Sequence, residues 1–96
     1  MSQTNLNEST RDIQLVINSI VAMTLEAPKS LVISLSVYSS ITGVNLLVWE
    51  GTCQGMILLS ESVYFNEPTA LDDAIDLESK LAELIIEARD DEEVAA

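Results

Sequence analysis

Three apolar runs between Ser30 and Phe65 constrain the chain most: Leu31 to Tyr38, Val44 to Glu50 and Met56 to Phe65. In the first, Leu31, Ile33, Leu35 and Val37 alternate with Val32, Ser34, Ser36 and Tyr38. A period of two means a strand with one packed face and one wet face. The second run sets Val44, Leu46 and Val48 against Asn45, Leu47 and Trp49. The third sets Ile57, Leu59, Val63 and Phe65 against Met56, Leu58, Ser60, Ser62 and Tyr64. The breaks are the turn Ser39 to Gly43, with Gly43 able to take a positive φ, and the loop Gly51 to Gly55. Two hairpins in succession predict an antiparallel meander.

The flanking segments have helical periodicity. Ser9-Thr-Arg-Asp12 has the Ser-x-x-acid form of a capped start. Ile13, Val16, Ile17, Ile20 and Val21 then form an apolar stripe, with Leu15 and Met23 off its centre, as in a helix covered on more than one side. Ala27-Pro28 ends it, since the residue before proline is steered out of the α region. After the break Asn66-Glu-Pro68, Thr69-Ala-Leu-Asp72 opens a second helix, striped by Ala74, Leu77, Leu81, Leu84, Ile85 and Ala88. The expected fold is α+β: αβββα, a three-stranded antiparallel meander with both helices on one face. It divides into a flexible polar leader (1–8), a single domain (9–91) and a frayed acidic tail (92–96), since carboxylates at a helix C-terminus oppose its dipole.

Ninety-six residues give one core and no second domain. No apolar run approaches the ~18–20 residues of a membrane span, and no signal-peptide pattern opens the chain. Sixteen Asp and Glu face four Lys and Arg, a formal charge of −12. Such a chain is repelled by phosphate backbones and anionic membranes, and its electrostatic partner is a basic surface. Histidine is absent, which removes the commonest acid–base catalyst and transition-metal ligand. The carboxylates lack calcium-loop spacing, and the reading is a non-enzymatic protein without cofactor or metal. Cys53, the one cysteine, excludes an internal disulfide and fits a reducing, cytoplasmic compartment. It has no basic neighbour to activate it and reads as an incidental loop thiol.

Two surfaces are candidate contact sites. Eleven of the sixteen carboxylates lie between Glu67 and Glu93, answered only by Lys80 and Arg89. On the second helix Asp72, Asp73, Asp76, Glu83, Glu87 and Asp90 can form an acidic array. Residues three or four apart there lie about 5–6 Å from one another, close to successive phosphates along a strand. A solvated face on an acidic protein accounts for the same pattern. The other candidate is the second sheet face, where Tyr38, Trp49 and Tyr64 stand among serines. It lacks the Lys and Arg of an RNA-binding sheet, so protein contact or homodimerisation is the functional alternative. Packing beneath a loop or the N-terminal leader is the structural one.

The layout, the scarcity of basic residues and the acidic helix Asp72–Asp91 resemble the small acidic inhibitors that phages encode, such as anti-CRISPR proteins and other DNA mimics. The resemblance rests on general character across the chain, with no family-specific motif. It implies an inhibitor acting in a host cytoplasm, occupying a basic surface of a nucleic-acid-handling protein or complex without binding nucleic acid itself. The alternative function is a small structural or adaptor module that dimerises through its β-sheet.

Overall fold

The computed structural model describes residues 2–40, 42–51 and 55–95. Helix α1 (Ser2–Leu25) leads into strands β1 (Leu31–Tyr38), β2 (Gly43–Glu50) and β3 (Ile57–Tyr64), and helix α2 (Ala70–Ala95) follows. The strands form an antiparallel meander in the order β1-β2-β3, as their alternation predicts. The helices pack against each other and share one core with the sheet, in which Ile20 of α1 and Leu77, Leu81 and Ile85 of α2 meet Val44, Leu46 and Val48 of β2. They run in the same direction. Arg89 Nη2, in the C-terminal half of α2, donates to the Glu26 carbonyl just past the end of α1 at 3.1 Å, while Ile13 shares a cavity with Asn66, which precedes α2.

The helices are longer than the spacing of their caps suggests. α1 begins at Ser2, so Ser9 lies inside the helix and the segment expected as a flexible leader is helical backbone. α2 likewise continues to Ala95, through the segment expected to fray. Helices of about 36 and 39 Å outreach strands of about 26 Å, and the chain measures 55 × 23 × 18 Å. Thr69 stands at the expected cap position, its carbonyl accepting the Asp73 N–H at 2.8 Å, but its hydroxyl donates to Asp73 Oδ2 at 2.9 Å instead of capping a backbone N–H. The helix-facing stripe of α1 is Ile13, Val16, Ile17, Ile20 and Met23. Val21 is exposed, and so are Leu15 and Leu25, so α1 is covered on one side only within the chain.

Two corrections concern the strands. Gly43 does not supply the positive φ at the first turn; Thr42 does, at φ 49°. Gly43 is instead needed for close approach, since a Cβ there would lie 2.6 Å from the Val63 carbonyl oxygen and 3.3 Å from Cδ1 of Tyr64. In β3 a bulge lies between Leu59, paired with Val48, and Ile57, paired with Trp49. Leu58 is the extra residue. The bulge resets the alternation, so Ile57 joins the Trp49 row and is 62% exposed instead of entering the core. Leu58 lies beside Lys80, Leu84 and Glu87 of α2. Cys53 lies outside the described residues.

Opposite effects are expected at the two turn positions. Thr42→Asn, which tolerates the left-handed region better, should stabilise by roughly 0.5–1 kcal/mol. Gly43→Ala should destabilise by about 1–3 kcal/mol by overpacking against Val63. Urea unfolding monitored by Trp49 fluorescence measures both. Leu81, fully buried between the layers, should cost roughly 2–5 kcal/mol as Leu81→Ala. For a chain of this length that is a large part of a total stability near ~5–14 kcal/mol.

Candidate functional site

The apolar stripe of α2 dictates where its charges go. With Ala74, Leu77, Leu81, Ile85 and Ala88 buried, residues half a turn away must face solvent. Asp72, Asp73, Asp76, Glu83, Glu87 and Asp90 are all exposed. Asp73 and Asp76 border a cleft with Glu61, Ser62 and Val63 of β3. Glu83 and Glu87 border another with Leu58 and Leu59. Asp73, Asp76, Glu83 and Glu87 therefore lie along the side of the molecule where α2 overhangs the free edge of β3.

One cation interrupts the array. Lys80 Nζ lies 2.7 Å from Glu61 Oε1 and 3.0 Å from Asp76 Oδ2. Its pKa is raised, first by the hydrogen bond to Glu61 and then by that to Asp76. Asp76 is thus partly neutralised, and Asp73 accepts the Thr69 hydroxyl. Among the described residues no salt bridge involves Asp72, Glu83, Glu87 or Asp90. Sequence reasoning overlooked Glu61. The signal was present, because strand alternation puts Glu61 between Leu59 and Val63 on the helix-facing side. A carboxylate there calls for a cation from the overlying helix.

The opposite sheet face has a different character. Its register gives four transverse rows. At one end Val32, Trp49 and Ile57 pair across the sheet. Next come Ser34, Leu47 and Ser60, followed by Ser36, Asn45 and Ser62. The last row is Tyr38, Gly43 and Tyr64. None of these positions carries a charge, although the chain has twenty charged residues. Tyr38 and Tyr64 are each 43% exposed, and Trp49 is half-buried between Val32 and Ile57. Continuous α1, running from Ser2, keeps the expected leader in the helical layer. Among the described residues nothing buries the two tyrosines. Within the face, Asn45 Nδ2 donates to Ser62 Oγ at 2.9 Å.

A third feature is an apolar cavity of about 350 Å³ between α1 and the end of the sheet at the β1–β2 turn, with Ile13, Ile17, Val37, Val44 and Phe65 among its lining. Gln14, Asn18, Thr42 and Asn66 also line it, and among the described residues no charged group does. Among the described residues no three His, Cys, Asp or Glu side chains are grouped to hold a metal ion, and no helix is long and apolar enough to cross a membrane.

The sequence-predicted residues thus separate onto two opposite surfaces. The six α2 carboxylates are exposed on the helical layer, four of them on its β3 side, and the three aromatics lie across the far side of the sheet. Comparison of the chain with protein-family models, curated proteins and solved structures finds no match.

Proposed function

We propose that the chain is a non-enzymatic binding protein that presents the acidic face of α2 to a basic surface of a nucleic-acid-handling protein or complex. It acts as an inhibitor of the anti-CRISPR or DNA-mimic kind, in the host cytoplasm if it is phage-encoded. One observation carries the reading: all six α2 carboxylates are exposed while the helix buries its opposite side. From Asp72 to Asp90 the array extends about 27 Å along the helix axis, enough to replace several phosphate contacts in a basic groove. Like charges at this spacing oppose the helix by a few tenths of a kcal/mol per pair. The buried stripe beneath them offsets that cost. Asp72, Glu83, Glu87 and Asp90 supply the main attraction, and Asp76 a smaller share because Lys80 already holds it. Such charges act mainly by steering encounter and by occupying Lys and Arg sites that would otherwise hold phosphate.

The experiment is displacement of labelled nucleic acid from a panel of nucleic-acid-binding proteins, CRISPR effectors included, followed by fluorescence polarisation. The chain should displace the probe from at least one member. At a fixed concentration of competing ions, Glu83→Lys/Glu87→Lys should weaken the displacing complex by roughly tenfold or more. Direct binding of the chain to that member should weaken steeply as salt rises. Circular dichroism verifies that the variant keeps its fold. No displacement anywhere in the panel, or a reversed variant as potent as the parent, overturns the reading.

A further inference from the structure

We infer that the uncharged sheet face is a homodimer interface, on which two copies stack antiparallel with Trp49 of each lying over Gly43 of the other. Three observations lead there. The first is charge. A chain of −12 repels its own copies, so self-association requires a surface where carboxylates are absent. The four rows facing away from the helices are free of charge. Stacking two sheets at about 10 Å leaves the helical layers outermost, their axes roughly 30 Å apart. That exceeds the screening length of about 8 Å at physiological salt, so the acidic arrays scarcely interact.

The second observation is register. Trp49 and Gly43 both lie on the central strand, three residues to either side of Leu46. A two-fold axis in the interface plane, perpendicular to the strands and passing at Leu46, therefore exchanges these two positions. It lays Trp49 of each copy over Gly43 of its mate, and sets Asn45 opposite Leu47. The same operation brings the Val32–Trp49–Ile57 row onto the Tyr38–Gly43–Tyr64 row at both ends.

The third observation is shape. Gly43 has no side chain, and Cδ1 of Tyr64 comes within 3.3 Å of the space where its Cβ would stand. Tyr64 therefore leans over the glycine and leaves a low aromatic shelf between the two tyrosines. An indole stacked on that shelf gains an aromatic contact, and the arrangement repeats at the other end. The half-buried Trp49 and the exposed Ile57 lose their remaining water. Strand rise and spacing give the face a footprint of roughly 14 by 26 Å, below the ~800 Å² per partner of a standard interface. The dimer is accordingly concentration-dependent and isologous, each copy offering the same patch.

Analytical ultracentrifugation of the full chain, from roughly 10 µM to 1 mM and at low and high salt, tests the inference. A monomer–dimer equilibrium is expected that tightens as salt rises, because salt screens repulsion between copies while the interface contains no charge. The acidic helix gives the opposite salt dependence, so failure of either proposal is separable from failure of the other. Ser60→Glu, at an exposed position, should abolish the dimer while leaving the monomer's circular dichroism unchanged. Trp49→Ser should weaken it at least tenfold, and Glu83→Lys/Glu87→Lys should retain it. A chain monomeric across the whole range overturns the inference. So does a dimer that survives Ser60→Glu, which would place the contact at a strand edge or on α1.

Discussion

The burial of one sheet face under two helices is the interaction on which everything else depends. Val44, Leu46 and Val48 of the central strand are almost wholly removed from water, and Ile20, Leu77, Leu81 and Ile85 close over them. Each helix meets the sheet through a single stripe, so the polar residues of α2 are forced outward, and among the described residues no element packs on the second face of the sheet. Exposed acids and an uncovered sheet are two consequences of one packing decision. Even the Lys80 bridge follows from it, since Glu61 occupies a helix-facing strand position and is met by a cation from α2.

Strand alternation and helical stripes are strong periodic signals, which is why the element order, the antiparallel meander and the buried positions of α2 were legible in the sequence. What was missed depends on chain neighbours that periodicity does not encode. The bulge at Leu58 adds one residue, and a single extra residue exchanges the faces of all that precede it in the strand. It moved Ile57 out of the core. At the first turn, glycine suggested a positive φ, but the demand at Gly43 comes from the Val63 carbonyl across the sheet, and Thr42 carries the left-handed conformation. The start of α1 was misplaced because Ser9 resembles a cap while the polar residues before it continue the helix. A capping pattern is a local preference, and helix propagation can run through it.

For the candidate sites, the sequence put the six acids at exposed positions of α2 and the three aromatics on one sheet face, but could not show their separation. The acidic array depends only on helical phase, so its exposure was legible. That Asp76 is drawn toward Lys80 while Glu83 and Glu87 are not was invisible, because Glu61 lies nineteen residues from Lys80 and joins it only through the fold. Likewise, alternation placed Tyr38, Trp49 and Tyr64 on one face. Their arrangement at opposite ends of β2, with Gly43 between the tyrosines, emerges only from the strand register.

That separation determines how the two proposed surfaces would act together. The proposed two-fold axis runs across the strands, so it keeps β3 over β3 and sets both acidic flanks along the same edge of the stack, roughly 30 Å apart with the two sheets between them. On the two proposals, one partner engages both arrays only where its basic surface spans that distance, and a groove that fits a single helix gains no avidity from the dimer. Stacking hides neither array. Partner binding and self-association are then thermodynamically independent to the extent that the stack leaves α2 undistorted, and linkage requires a shared conformational change to couple them. Rising salt would move the two proposed contacts in opposite directions, loosening the acidic one and tightening the uncharged one, because one sheet face excludes the charges that one helix collects.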